Sequence, residues 1–256
     1  MRIAVDGIYF GVSPQRGPDD LIALAVAVGA EGLNWPYHAN YWPDDAARVA
    51  AALADAGLCA VSVGLTEQIS AVPGQEAAFR EVFARCAEFA RIVGAPVVDC
   101  WPYKPAEVTK AQAQATLVAN LDAVVPVAEE AGVLVGFEFE PDTTLERFAE
   151  AKAFLEPWFS AAKLTADTYH IIRIGDDLVE AGRALGDRIA IIHFSASHRG
   201  EPGSEGDRCD YAGFLGAAVA AGFVGDIALQ YAQPPDAEES LRRAVQLARE
   251  VAGRVR

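Results

Sequence analysis

The chain has 256 residues, of which 52% are hydrophobic and 22% are charged, and its formal net charge is −15. This composition is typical of a globular protein and excludes an intrinsically disordered one, and the length is sufficient to bury a large core. Because nucleic acids and anionic membranes attract basic proteins, the acidity disfavours both as partners.

The first residues and the cysteines bear on the cellular compartment. The segment Met1-Arg-Ile-Ala-Val-Asp6 is interpreted as an early strand with a charge after it and not as a signal peptide. The longest apolar stretch, Leu21 to Ala30, is too short to span a bilayer. The four cysteines form no Cys-x-x-Cys pair, which favours reduced thiols. We therefore expect a cytoplasmic protein.

Short apolar segments rich in Val and Ile alternate eight times with Ala- and Leu-rich segments of helical length. Such short apolar runs are typical of buried parallel strands. The predicted strands end near Val5, Trp35, Val63, Trp101, Glu138, Asp167, His193 and Gln230. Eight consecutive strand–helix units without a long linker predict a single (β/α)8 TIM barrel that spans residues 1–256 as one domain.

Recurrent helix boundaries support this alternation. Proline followed by aspartate predicts a helix start in Gly17-Pro-Asp-Asp20, Trp42-Pro-Asp-Asp45 and Pro234-Pro-Asp236. Helices are predicted to end at Gly29, Gly57, Gly94 and Gly132. One long loop, residues 195–210, follows the seventh strand, and a loop of that length in a compact domain is usually functional.

Four side chains that can bind a metal lie at the ends of the last four predicted strands. These residues are Glu138, Asp167, His193 and Gln230. In a parallel barrel they emerge at the same carboxyl-terminal mouth, where barrel enzymes place their chemistry. Carboxylates with a neutral imidazole suit Mn²⁺, Co²⁺ or Mg²⁺ better than a structural zinc site. Taken singly, Asp167 could instead cap a helix, and His193 could be a core residue.

Glu138 and Glu140 are two residues apart and so share one face of the strand. Buried acids require a positive partner, which could be a metal ion or a basic side chain. A metal is the better partner for Glu138, whereas a salt bridge is the alternative for Glu140. His170 and Arg199 lie just beyond the strand ends and are candidate contacts for substrate oxygens, with surface or packing roles as alternatives.

Two aromatic segments follow the second and fourth strands, namely Trp35-Pro-Tyr-His38 and Trp101-Pro-Tyr-Lys104. Sugar rings pack well on aromatic faces, and His38 and Lys104 add hydrogen-bond donors. We expect these four residues to bind substrate, with simple loop packing as the alternative for both tryptophans.

Three motifs in the second half of the chain carry a resemblance to a known family. They are Gly132-Val-Leu-Val-Gly-Phe-Glu138, Asp167-Thr-Tyr-His170 and His193-x5-Arg199-Gly-x-Pro-Gly203. Together they resemble the xylose isomerase-like TIM barrel superfamily, and within it the sugar isomerase/epimerase branch that includes D-tagatose 3-epimerases and inosose isomerases.

The resemblance implies a site. In that family a Glu, an Asp, a His and a second Glu hold one divalent ion, and they correspond to Glu138, Asp167, His193 and position 230. Glu140 is the fallback for Glu138 if the register is displaced by two residues. The resemblance further implies that His170 and Arg199 hold the oxygens of a small carbohydrate substrate. It also implies a possible homo-oligomer, and we expect Mn²⁺ as the ion.

Gln230 departs from the family pattern, because an amide oxygen can coordinate a hard cation but cannot accept a proton. Proton transfer then falls to Glu138, Glu140 or His170. We expect an isomerase or epimerase of a small sugar or keto-polyol that acts through a metal-stabilised enediolate. A metal-dependent lyase acting on a keto-sugar or cyclitol, and a non-catalytic sugar-binding relative, are the two alternatives.

Overall fold

Eight parallel strands close into a barrel. The computed structural model describes residues 1–10, 17–38 and 46–255. The strands are β1 (Ile3–Asp6), β2 (Gly32–Tyr37), β3 (Cys59–Leu65), β4 (Val97–Cys100), β5 (Leu134–Glu138), β6 (Ala162–Asp167), β7 (Ile189–Phe194) and β8 (Asp226–Leu229). Each strand pairs with the next, and β8 pairs with β1, which confirms the predicted (β/α)8 barrel.

Helices connect consecutive strands and surround the barrel. They are α1 (Gly7–Phe10), α2 (Pro18–Ala27), α3 (Ala46–Asp55), α4 (Glu76–Val93), α5 (Lys110–Ala131), α6 (Phe148–Leu155), α7 (Thr168–Arg173), α8 (Leu178–Leu185), α9 (Tyr211–Ala220) and α10 (Ala237–Arg254). Short 3₁₀ turns at Glu156–Trp158 and Gly186–Arg188 follow α6 and α8. None of these helices is both long and apolar enough to cross a membrane.

The predicted element boundaries agree closely with the structure. Every predicted strand end lies within two residues of the observed one. The four glycines predicted to end helices all have a positive φ, between 68° and 74°. Helix α2 begins at Pro18, within the predicted start, and α10 begins at Ala237, directly after the predicted start at Pro234–Asp236. The segment 42–45 lies outside the described residues.

The barrel interior changes from apolar to polar along its axis. Ala4, Val61, Ile191 and Ala228 form a small apolar cluster inside the barrel, separate from the larger core between the strands and helices. Two residues further along β1 and β7, the inward positions are Asp6 and His193, which are both fully buried. Buried polar groups of this kind require compensation. Asp6 accepts hydrogen bonds from Asn34 and Gln230, and His193 lies between the carboxyl groups of Glu138 and Asp99.

Candidate metal centre

A cavity of about 630 Å³ opens at the carboxyl-terminal ends of the strands. This volume is in the range that holds a small-molecule ligand. Its wall includes Trp101, Glu138, Glu140, His170, Arg199 and Gln230. The structure therefore brings most of the predicted site residues to one place.

Glu138 is the last residue of β5 and is 1% exposed. Its Oε2 accepts a hydrogen bond of 2.5 Å from Trp101 Nε1. Its Oε1 has no hydrogen-bond partner among the described residues and lies 3.5 Å from His193 Nδ1. Burial opposes the charge of Glu138, but the charges of His193, His170 and Arg199 together outweigh burial and lower the pKa of the carboxyl. Glu138 is therefore an ionised carboxylate with one oxygen available to a ligand.

His193 lies between two carboxylates. Its Nε2 is 3.6 Å from Asp99 Oδ2, on the side opposite Glu138. Both distances exceed those of ordinary hydrogen bonds, and neither ring nitrogen has another partner in the described chain. Burial lowers the pKa of His193, but Glu138 and Asp99 outweigh it, so the pKa is raised. The ring is thus held by charge on both sides.

Asp99 was missed by the sequence analysis. It lies on β4, fully buried, where Thr165 Oγ1 donates to its Oδ1. A Cβ at Gly136 would lie only 3.0 Å from the same oxygen, so this glycine leaves room for the acid. The signal was an acidic residue inside the apolar run Val97–Cys100, a position that rarely carries a charge without a partner.

Asp167 has two roles that use different oxygens. Its Oδ1 accepts a 2.7 Å hydrogen bond from the backbone N–H of Tyr169 and so caps α7, as the alternative interpretation anticipated. Its Oδ2 accepts from Arg199 and lies 3.9 Å from His170 Nε2. Capping therefore does not remove Asp167 from the site.

Arg199 crosses the floor of the cavity. Its Nη1 donates to Asp167, and its Nη2 donates to Gln230 Oε1 at 2.9 Å and to the Tyr9 hydroxyl at 2.8 Å. Burial opposes the charge, but Asp167, Tyr9 and Glu138 together outweigh burial and raise the pKa of the guanidinium. Arg199 has a φ of 68°, which few non-glycine residues adopt, and this backbone geometry directs the side chain from the loop into the cavity.

Asp207 organises the loop that carries Arg199. Its two carboxylate oxygens accept from the backbone N–H groups of Ser197, Gly203 and Cys209 and from the Tyr211 hydroxyl. The predicted functional loop is therefore held together by one half-buried acid.

Gln230 follows β8 and is 1% exposed. Its Oε1 accepts from Arg199, and its Nε2 donates to Asp6 Oδ2 at 3.2 Å. The amide oxygen thus faces the cavity, as a metal ligand at this position requires.

Glu140 and His170 form a pair at the cavity wall, with 3.2 Å between Glu140 Oε2 and His170 Nε2. Burial, together with the charges of Glu138 and Asp167, raises the pKa of Glu140 to about 8. Burial lowers the pKa of His170. The environment therefore favours the neutral form of Glu140 and the charged form of Glu138.

The predicted substrate-binding residues divide into two groups. His38 and Trp101 line the cavity together with His170 and Arg199. Among the described residues, Trp35 and Lys104 are not part of the cavity wall. The structure therefore places these two residues outside the cavity.

The strand pleat explains the position of Trp35. Asn34 faces the barrel interior, where it donates to Asp6, so the next side chain along β2 faces outward. Trp35 packs there against Phe89 of α4, with 6.3 Å between ring centroids. The Lys104 ammonium donates to the backbone carbonyl of its neighbour Pro105 at 3.3 Å.

The residues present fit a divalent ion. Ligand atoms of Asp99, Glu138 and His193 lie within 4.8 Å of one another, and so do those of Glu138, Asp167 and His170. Glu138 Oε1, Asp99 Oδ2 and both His193 nitrogens are buried without hydrogen-bond partners in the described chain. Carboxylate, imidazole and amide donors suit a hard or borderline cation. Glu138 belongs to both groups and Glu140 to neither, which favours Glu138 as the ligand.

Comparison with known proteins gives three similarities of note. Over 151 residues the chain is 28% identical to hydroxypyruvate isomerase from Escherichia coli (strain K12). The aligned segment covers 56% of this chain and 58% of that protein. The chain thus spans less than two thirds of the length of this curated relative. The crystal structure of a D-psicose 3-epimerase in the presence of D-fructose superposes with a TM-score of 0.85 at 19% identity, covering 99% and 100% of the two chains. The structure of the IOLI protein with a binding zinc atom superposes with a TM-score of 0.75 at 16% identity, covering 100% of this chain and 98% of that chain.

At these identities the structural similarities establish the fold. The family follows from a separate comparison, because the family model described as "Xylose isomerase-like TIM barrel" matches residues 22–251, most of the chain. The three motifs on which the resemblance was based all lie within the matched region. The protein belongs to the xylose isomerase-like TIM barrel family.

Proposed function

We propose that this protein is a divalent-metal-dependent isomerase or epimerase of a small sugar or keto-polyol. The observation that carries the proposal is a group of metal-type ligands, with buried donor atoms that have no hydrogen-bond partner in the described chain, beside a cavity of about 630 Å³. In addition, the pKa of Glu138 is lowered and that of Glu140 is raised, although the two are only two residues apart in the chain. Neighbouring acids with separated pKa values are typical of paired base and acid roles.

Glu138, Asp167, His193 and Gln230 would hold the ion. Such an ion supplies Lewis acidity that stabilises negative charge on a carbonyl oxygen. Asp167 and Gln230 could bind the ion only if the Arg199 guanidinium moved away, because it now donates hydrogen bonds to the same oxygens. Arg199 is then free to bind a substrate oxygen, which is the role that the resemblance implies.

Proton transfer is assigned to this chain's own acids. Isomerisation removes a proton from the carbon next to a carbonyl, and an ionised carboxylate within hydrogen-bond reach can accept it. Glu138 has the required charge. The Glu140–His170 pair can donate a proton to, or accept one from, a substrate hydroxyl at the cavity wall. Gln230 carries no exchangeable acid, so the second proton carrier of this site is the Glu140–His170 pair.

The names of the similar proteins support this class of chemistry. Hydroxypyruvate isomerase and D-psicose 3-epimerase both act on compounds with a hydroxyl group next to a carbonyl, and the IOLI structure holds zinc. The manganese preference rests on the donor set alone. We propose a carbohydrate or a related hydroxycarbonyl compound as the substrate class.

Proton exchange in D₂O tests the proposal. The protein is treated with EDTA, reloaded with Mn²⁺, Co²⁺ or Mg²⁺, and given a panel of ketoses together with hydroxypyruvate, while ¹H NMR follows the hydrogen next to the carbonyl. We expect exchange that depends on the metal and is lost in Glu138→Gln. The matched control, Glu129→Gln, changes an exposed residue of α5 and should be silent.

Three outcomes separate the hypotheses. Exchange with an isomerised or epimerised product supports the proposal. An unsaturated product with loss of water instead identifies a lyase, for which a site with a single carboxylate base is sufficient. Absence of exchange with every metal and substrate, although the metal binds, contradicts a catalytic role.

A further inference from the structure

Asp6, the last residue of β1, is a fully buried carboxylate with three donors. Its Oδ1 accepts a 3.0 Å hydrogen bond from the backbone N–H of Tyr9. Its Oδ2 accepts from Asn34 Nδ2 at 2.5 Å and from Gln230 Nε2 at 3.2 Å. Asp6 has no place in the metal and proton roles described above, although it lies directly behind one of the proposed ligands.

Closure of the barrel brings Asp6 and Gln230 together across 224 residues of sequence. Strand β8 pairs with β1 in a register that places Val5 opposite Leu229. The residues that come next in the chain, Asp6 after Val5 and Gln230 after Leu229, are therefore at the same level, and both side chains point into the barrel. The contact follows from the strand register and does not depend on a loop.

The amide of Gln230 is oriented from both sides. Its nitrogen donates to Asp6, and its oxygen accepts from Arg199. A flipped amide would place its N–H₂ against the guanidinium and its oxygen against the carboxylate, so both contacts would become repulsive. Only one orientation satisfies both neighbours, and in that orientation the oxygen faces the cavity.

We propose that Asp6 is a positioning residue that holds the Gln230 oxygen toward the metal site and makes position 230 suited to an amide and not to a carboxylate. A glutamate at 230 has no N–H group to offer Asp6. Its oxygen would face an Asp6 oxygen across about one hydrogen-bond length inside a dry barrel, where two carboxylates repel unless they share a proton. The part of this inference that concerns the metal rests on the proposed function, whereas the pairing of Asp6 with Gln230 is independent of that function.

A double-mutant cycle on the full-length protein tests the pairing. It compares wild type, Asp6→Asn, Gln230→Glu and the double variant, first by Tm in EDTA and then by Mn²⁺ titration calorimetry. In EDTA we expect Gln230→Glu to lower the Tm, and the double variant to recover most of that loss. Asp6→Ser also removes the carboxylate and serves for the same cycle if Asp6→Asn does not fold.

The Mn²⁺ measurements report on positioning. We expect Asp6→Asn to weaken Mn²⁺ binding by about 10- to 100-fold, as loss of a residue that orients a metal ligand does. The double variant should bind Mn²⁺ at least as tightly as wild type, because a carboxylate at 230 then has no carboxylate behind it. Asp226→Asn is the matched control, since it removes a buried acid at the opposite end of β8. It should lower the Tm without changing Mn²⁺ affinity and without coupling to Gln230→Glu.

The results distinguish the two ideas. If Gln230→Glu keeps the wild-type Tm and the two changes are additive in EDTA, Asp6 does not constrain position 230 and the inference is overturned. If the changes are coupled in EDTA but the wild type binds no divalent metal, the pairing stands and the metal-dependent function fails. If metal binds but Asp6→Asn leaves its affinity unchanged, the positioning role is wrong.

Discussion

Arg199 and Asp167 form an ion pair on the cavity floor, although they come from different elements: Asp167 ends β6 and Arg199 lies in the loop after β7. The carboxylate is fully buried and the side chain of Arg199 is 16% exposed. The pair therefore lies largely outside solvent screening.

Replacement of Arg199 by glutamine should destabilise the metal-free protein. Asp167 keeps its capping bond to Tyr169 but loses its cation, and breaking a buried pair from one side costs about 3–5 kcal/mol. Urea unfolding in EDTA measures the loss. Arg173→Gln is the control, because Arg173 also lines the cavity but forms only a 3.4 Å contact with the exposed Asp142. Equal stabilities of the two variants would contradict the importance of the buried pair.

Asp167→Asn should abolish Mn²⁺ binding without unfolding α7, because the remaining amide oxygen can still cap the helix. A bound ion stabilises only the folded state, by about 2.7 kcal/mol at 100 times its Kd. We therefore expect Mn²⁺ to raise the Tm of the wild type and to leave that of Asp167→Asn unchanged. Asp187→Asn, which alters an exposed acid, should respond to Mn²⁺ as the wild type does. Full metal content in Asp167→Asn would show that the ligand assignment is wrong.

Glu140→Gln separates proton transfer from metal binding. Loss of a positioned acid or base lowers kcat by about 10²–10⁴-fold. Because Glu140 belongs to neither group of clustered ligand atoms, Mn²⁺ affinity should remain at the wild-type level. Calorimetry and steady-state kinetics on the substrate found in the D₂O panel give the two values. A variant that loses its metal would instead identify Glu140 as the ligand and displace the register by two residues.

Asp207 should make stability depend on pH. Burial alone raises its pKa, but hydrogen bonds from the Ser197 N–H and from Tyr211 outweigh it, so the folded-state pKa is lowered. A lowered carboxyl pKa stabilises the fold above the unfolded-state value of about 3.9, and the contribution is lost as pH falls through the folded-state pKa. Asp207→Asn should thus be less stable than wild type at pH 7, with the difference shrinking below about pH 4. Urea unfolding at several pH values measures this, and a difference independent of pH would contradict it.

Much of the fold could be predicted from the sequence because each βα unit carries its own signals. Buried strands are apolar on both faces, and glycine ends a helix where a positive φ is needed, so strand ends near Glu138 and Asp167 were located correctly. Because parallel strands end at one mouth, the convergence of Glu138, His170 and Arg199 also followed from sequence order. Trp35 was misplaced because a loop-like motif was interpreted without its strand pleat, although β2 continues to Tyr37.

Local patterning and the family motifs therefore determined the barrel and the set of candidate ligands, since both depend on residues close together in the chain. The pairings among those residues depend on strand register and barrel closure, which bring distant positions within hydrogen-bond distance. Tertiary structure alone placed Asp6 behind Gln230, Asp99 behind His193 and Arg199 between Asp167 and Gln230. These contacts also matter for acidity, because in a buried site the pKa of a carboxyl such as Asp99 depends on its neighbours and not on its place in the sequence.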